Sequence, residues 1–121
     1  MSDDSPSEQQ PIPNSWRPTF RAIAAAFAAA DYGLVAGVSG VEPISTETAT
    51  HIQCYIRDYG ATLVALPEET WESSVCIWAG DHWDVLIDLW SQEEGRSDLV
   101  LHAHVTDTPG FSVKVHLVYV P

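Results

Sequence analysis

His102 and His104 stand two apart in the run Leu99-Val100-Leu101-His102-Ala103-His104-Val105, where apolar residues recur at every second position. Side chains in an extended strand alternate between its faces, so both imidazoles leave the same face, about 7 Å apart along the chain. His116 lies in the next alternating run, Phe111 to Tyr119, on the same parity. The two imidazoles of His102 and His104, joined by His116 or by the carboxylate of Asp88, form a ligand set suited to zinc, iron or manganese. The competing account is a solvated strand face, with each histidine meeting water or a carboxylate.

Other chemistries find less support. The H-x-H pair is similar to that of cupin barrels, but the glutamate that comes next in that motif is missing and the strands are too few for the barrel. Asp84 and Asp88 are four residues apart on a strand, about 13 Å, wider than the roughly 5–9.5 Å of a glycosidase pair. Gly37-Val38-Ser39-Gly40 lacks the spacing of a nucleophile elbow, and neither a phosphate-cradling glycine loop nor an H-E-x-x-H motif occurs. Cys54 and Cys76 have no metal-type spacing and read as reduced, buried thiols of a cytoplasmic protein. No catalytic residue and no cofactor are assigned, and an enzyme is the less favoured class.

The charge points elsewhere. Seventeen acids oppose five bases, a formal net charge of −12. Ten carboxylates lie between Glu68 and Asp107 against one base, Arg96. Such a field repels a phosphate backbone and so disfavours nucleic acid. It either keeps the chain soluble or steers it toward a basic protein. Trp71, Trp78, Trp83 and Trp90 crowd into twenty residues. Trp90 has the parity of the acidic face and precedes an acidic loop that contains Arg96. An aromatic anchor and an arginine among carboxylates resemble a protein-binding hot spot, comprising Asp84, Asp88, Trp90, Glu93, Glu94, Arg96 and Asp98.

These residues must be positioned by the elements around them. Residues 1–14, rich in Ser, Pro, Gln and Asp, read as a disordered acidic tail, and residues 15–121 as a single domain. Phe20, Ile23, Phe27 and Ala30 share one helical face, with Ser15 as N-cap and an end near Gly33. The apolar stretch within this helix, residues 22–30, is too short to span a bilayer and has an acidic leader, so neither a membrane nor an export signal is expected. A second helix starts at Ser45 or Thr46, places Ala49, Ile52, Ile56 and Tyr59 on one side, and stops at Gly60. Residues 62–66 form an edge strand or extended connector. From Trp71 the period becomes two: Val75 and Ile77, then Trp83 to Leu89, a polar connector over residues 91–97, Leu99 to Val105, and Phe111 to Tyr119. Pairing Val105 with Phe111, Ala103 with Val113, Leu101 with Val115 and Leu99 with Leu117 keeps His102 and His104 out of the core and sets His102 opposite Lys114. The expected fold is α+β, with two helices packed on one face of a four-stranded antiparallel meander.

The stretch W-D-V-L-I-D-L-W-S-Q-E-E-G-R-S-D-L, with the connector Tyr59-Gly60-Ala61-Thr62-Leu63 and Leu66-Pro67, resembles the signature of a family of small bacterial domains of unknown function. The likeness covers roughly residues 58–121 and implies no reaction. Small acidic α+β domains of this kind also resemble immunity proteins, which occlude the basic active site of a toxin. The leading expectation is therefore a non-enzymatic, cytoplasmic, acidic binding domain, an immunity-type inhibitor of a basic partner. The alternative is a small metal-binding domain or metal-dependent enzyme using His102, His104 and His116.

Overall fold

A computed structural model describes residues 9–121; of the tail expected over residues 1–14, residues 1–8 lie outside the described residues. Five strands form one antiparallel meander in chain order: β1 Gln9–Pro11, β2 Val75–Trp78, β3 Trp83–Ser91, β4 Gly95–Thr106 and β5 Ser112–Tyr119. The helices are α1 Arg17–Ala28, α2 Thr46–Tyr59 and the single turn α3 Thr70–Ser73. The α+β class holds, with one more strand and one more short helix than expected.

The added strand comes from the expected tail. Gln9 to Pro11 pair with Ile77 to Val75, and Ile12 is buried immediately afterwards. A polar stretch ending in proline carries no period-two signal, yet it suits an outer edge, where a missing N–H costs nothing. The added helix replaces the start of the expected strand run. Its Thr70 and Ser74 hydroxyls bond the carbonyl and amide of Asp88 on β3, supplying the partners that β2 does not extend far enough to give. Further along the same edge, Val64 N–H donates to the Trp90 carbonyl and Gln92 N–H to the Thr62 carbonyl. The connector over residues 62–66 thus makes a single bridge, Leu63 with Ser91, and no full strand.

Both long helices lie on the face that alternation assigns to the core. Phe20, Ile23 and Phe27 of α1, with Ile52 and Ile56 of α2, join Val85, Ile87, Leu99, Leu101, Val105 and Val113 in one cluster. Ser45 caps α2, its hydroxyl accepting from Thr48 N–H at 3.2 Å. Gly60 ends the helix at φ 86°, a left-handed conformation in which a side chain is strained. Helix α1 departs from expectation at both ends. It is preceded by a 3-10 turn at Asn14–Trp16 with no Ser15 side-chain cap, and it stops at Ala28, leaving Ala30 exposed. In β2 the expected parity is reversed. Cys76, opposite Val85, is the buried residue, while Val75 and Ile77 pair with Leu86 and Asp84 on the other face.

The β3–β4 hairpin is tighter than the polar connector suggests. Ser91 pairs with Gly95, so only residues 92–94 turn, and Gly95 takes φ 76°, the left-handed residue that closes such short hairpins. A bulge interrupts the ladder further in, where Asp88 pairs with Val100 and Trp90 with Arg96. The Ser97 hydroxyl fills it, donating to the Leu89 carbonyl and accepting from Leu99 N–H.

In the β4–β5 hairpin the expected parity is right and the register is two residues off. Val105 pairs with Val113 and Ala103 with Val115. Residues 107–111 form the loop, and Phe111 leaves the sheet to pack 6.1 Å from Trp16. His104, not His102, therefore faces Lys114, and His102 faces Leu117. A second bulge at this point makes His116 the extra residue of β5. It reverses the parity of the rest of the strand: Val118, expected on the open face, is buried opposite Leu101, while Leu117 moves out.

Candidate metal centre

The open face of the sheet gathers three of the chain's five histidines around one carboxylate, with a fourth beside them. Asp84 points out from β3. On β4 its cross-strand partner is His104, and His102 is opposite Leu86. The tight β2–β3 turn, closed by Ala79 N–H donating to the His82 carbonyl at 2.8 Å, brings His82 back over the sheet. Asp84 Oδ1 then lies 3.3 Å from His82 Nε2 and 3.2 Å from both His102 Nε2 and His104 Nε2. All four side chains are partly shielded from water, with 21 to 34% of their surface exposed.

Ligand atoms held about 2.0–2.1 Å from a tetrahedral zinc ion are separated from one another by roughly 3.3 Å. The three nitrogen-to-oxygen distances match that separation. Of these groups, His82, Asp84 and His104 also place their ligand atoms within 4.8 Å of one another. His102 reaches the same oxygen from outside that close set, as a hydrogen-bonding support for the carboxylate.

Proton positions favour a cation at this point. His82 Nδ1 lies 2.6 Å from Asp81 Oδ1, so its N–H is taken up there and a neutral ring turns the Nε2 lone pair toward Asp84. Lone pair against carboxylate is repulsive unless a proton or a metal cation sits between them. In the protein alone, the environment of His82 favours the proton. The hydrogen bond to Asp81 raises the His82 pKa, opposed by burial and helped by Asp84. Burial works to raise the Asp84 pKa, but the hydrogen bond to His102 and the fields of His102 and His104 prevail and lower it. His104 is pushed down, by burial first and then by His82, so it stays neutral and available as a ligand.

His116 is near this cluster without joining it. Its ring stacks on His104 at 5.1 Å and lies 5.0 Å from His102, and the residue is exposed. The set expected for metal, His102, His104 and His116, is thus brought onto one face, but the close ligand set is His82, Asp84 and His104. Sequence alone leaves His82 in a turn, yet a signal is present: His82 and Asp84 are spaced i, i+2, so the strand's alternation, extended two residues back, places both on one face. Asp88, the expected extra ligand, belongs elsewhere, with its carboxylate bonded to the Ser73 hydroxyl beside α3.

Of the residues expected to bind a partner, Asp84 is the centre of this cluster and Asp88 bonds Ser73, while Trp90, Glu93, Glu94, Arg96 and Asp98 lie toward the other end of the hairpin. Glu93 accepts from Thr62 N–H at 2.9 Å. Glu94 accepts from the Tyr59 hydroxyl at 2.5 Å, and that hydroxyl accepts from Asp98 N–H. Trp90 is half-buried against the core and lies within 3.8 Å of the site a Gly95 side chain would occupy. Arg96 is exposed opposite it. These contacts fasten the hairpin tip to α2 and the connector, and they add no geometric support to a binding role beyond that of charge.

Residues 24–121 match the model of a family described as a domain of unknown function, DUF7668, and the chain belongs to that family. No curated protein and no solved structure matches the chain. No helix among the described residues is long and apolar enough to cross a membrane.

Proposed function

We propose that this member of the DUF7668 family is a metal-binding domain that holds one divalent first-row ion, with zinc as the reference case, on His82 Nε2, Asp84 Oδ1 and His104 Nε2. The observation that carries the reading is the convergence of three imidazole nitrogens on a single carboxylate oxygen at 3.2–3.3 Å. Mixed imidazole and carboxylate donors suit zinc, iron and manganese over calcium or magnesium. Asp81 and His102 support the centre by fixing the His82 tautomer and the Asp84 orientation, as carboxylates and hydrogen-bond donors do around metal ligands elsewhere.

The test is a thermal melt with and without zinc. At free zinc one hundred times its dissociation constant, binding adds about 2.7 kcal/mol, a rise on the order of 10 °C for a domain this size. A chelator should reverse it. The rise should grow from about pH 6 to about pH 8, because zinc competes with protons for His82, whose pKa is raised. The metal-free protein should show the opposite trend. His82, with its raised pKa, stabilises the fold below its unfolded pKa and loses that contribution as pH rises through the folded value. Asp84, with its lowered pKa, stabilises above its unfolded pKa and loses that contribution as pH falls through the folded value. Their contact is therefore strongest in the weakly acidic window between the two. A melting temperature indifferent to zinc across this range would remove the proposal.

A further inference from the structure

Zinc takes four ligands, and a centre with three protein ligands keeps a position for something else. Three donor atoms, from His82, Asp84 and His104, lie close enough together to share one ion. Beside them is an open hollow of about 230 Å³, lined in part by His82, His104 and Lys114. Lys114 stands opposite His104 in the β4–β5 ladder, and among the described residues no carboxylate lies within ion-pairing distance of it. Thr106 and Ser112, paired where the hairpin opens, add hydroxyl groups to the same wall.

We infer that the remaining coordination position is open to this hollow and takes a small, singly charged oxyanion such as a carboxylate, with Lys114 on its outer side. This rests on the metal reading above and adds to it the ligand class and the residue that selects it. A metal-bound oxyanion keeps a lone pair free for an ammonium group, and such charge-assisted bonds are the stronger kind. The other wall sets the limit on charge. Glu42 and Asp81 also line the hollow, and Asp81 is engaged by His82, so a polyanion such as a nucleoside triphosphate would be repelled. The rival arrangement is a closed site in which His102 or His116 completes the coordination and nothing from solution enters.

Cobalt(II) is the probe, because its visible spectrum reports coordination number and ligand exchange where zinc is silent. The protein is loaded with one equivalent of cobalt(II) and titrated with acetate at constant ionic strength. The inference predicts a saturable spectral change on adding acetate, and a roughly fivefold weaker acetate affinity in Lys114→Gln with cobalt affinity unchanged. Lys114 is exposed, so this variant keeps the fold. A bound-cobalt spectrum that acetate does not move means a closed site and overturns the inference while leaving metal binding intact. An acetate response unchanged in Lys114→Gln overturns the role of Lys114. Failure to develop a bound-cobalt spectrum at all overturns both the inference and the metal reading before acetate is added.

Discussion

Leu101→Ala should lower the stability of the domain by about 2–5 kcal/mol in a urea or guanidinium unfolding curve, the range for emptying a fully buried leucine site. Leu101 has no exposed surface and sits mid-strand in β4, opposite Ile87 on β3 and Val118 on β5. Its side chain belongs to the cluster that α1 and α2 cover. The neighbouring strands are pinned by their ladders and cannot close the hole, so both the transfer loss and the cavity loss apply. Total stability of a domain this size is on the order of 5–15 kcal/mol, so the loss is a large fraction of the whole. His116→Ala, one strand away but exposed on the opposite face, should change stability by less than about 0.5 kcal/mol. Equal costs for the two would mean that the faces of β4 and β5 had been exchanged.

Asp84→Asn should abolish the zinc-dependent rise in melting temperature while leaving the metal-free protein folded. The amide keeps an oxygen where three imidazoles converge, but it carries no charge and cannot replace a carboxylate ligand. Losing a support beyond the ligands typically costs 10–100-fold in metal affinity; losing this ligand should cost at least about 100-fold. His82→Ala should do the same by removing both a ligand and the link to Asp81. His116→Ala separates this ligand set from the one expected from sequence. The His116 ring stacks on His104 and does not touch Asp84, so its removal should leave most of the zinc response in place. If His116→Ala removed the response and His82→Ala kept it, the ligand assignment would be wrong.

The parts of the fold that are legible in the sequence are those where polar and apolar residues alternate strongly. Strands β3 and β4 alternate Val85, Ile87 and Leu99, Leu101, Ala103, Val105 against acids and histidines, and their faces can be read directly. Helix α2 announces itself by Ser45 and Gly60, because capping is local chemistry. The illegible parts depend on contacts distant in sequence. Nothing in Gln9-Gln10-Pro11 shows that an edge of β2 will be open to receive it. The register of β5 depends on how many residues the 107–111 loop uses, and Phe111 could satisfy its burial either in the sheet or against Trp16. The bulge at His116 is hidden because Leu117 and Val118 are both apolar, so alternation can break between them at no apparent cost. For the site, the face of His102, His104 and Asp84 is readable from parity, whereas the convergence on one oxygen requires the β2–β3 turn to fold His82 back over the sheet.

Zinc K-edge X-ray absorption on protein dialysed against zinc shows whether two imidazoles and one carboxylate hold the ion. The expected result is one bound zinc per chain, with two imidazole nitrogens at about 2.0–2.1 Å and oxygen in the remaining positions. Sulfur in the first coordination sphere would point to Cys54 or Cys76, and three or four imidazoles would point to His102 or His116. Either result, or protein that retains no zinc after dialysis, would contradict the assignment to His82, Asp84 and His104.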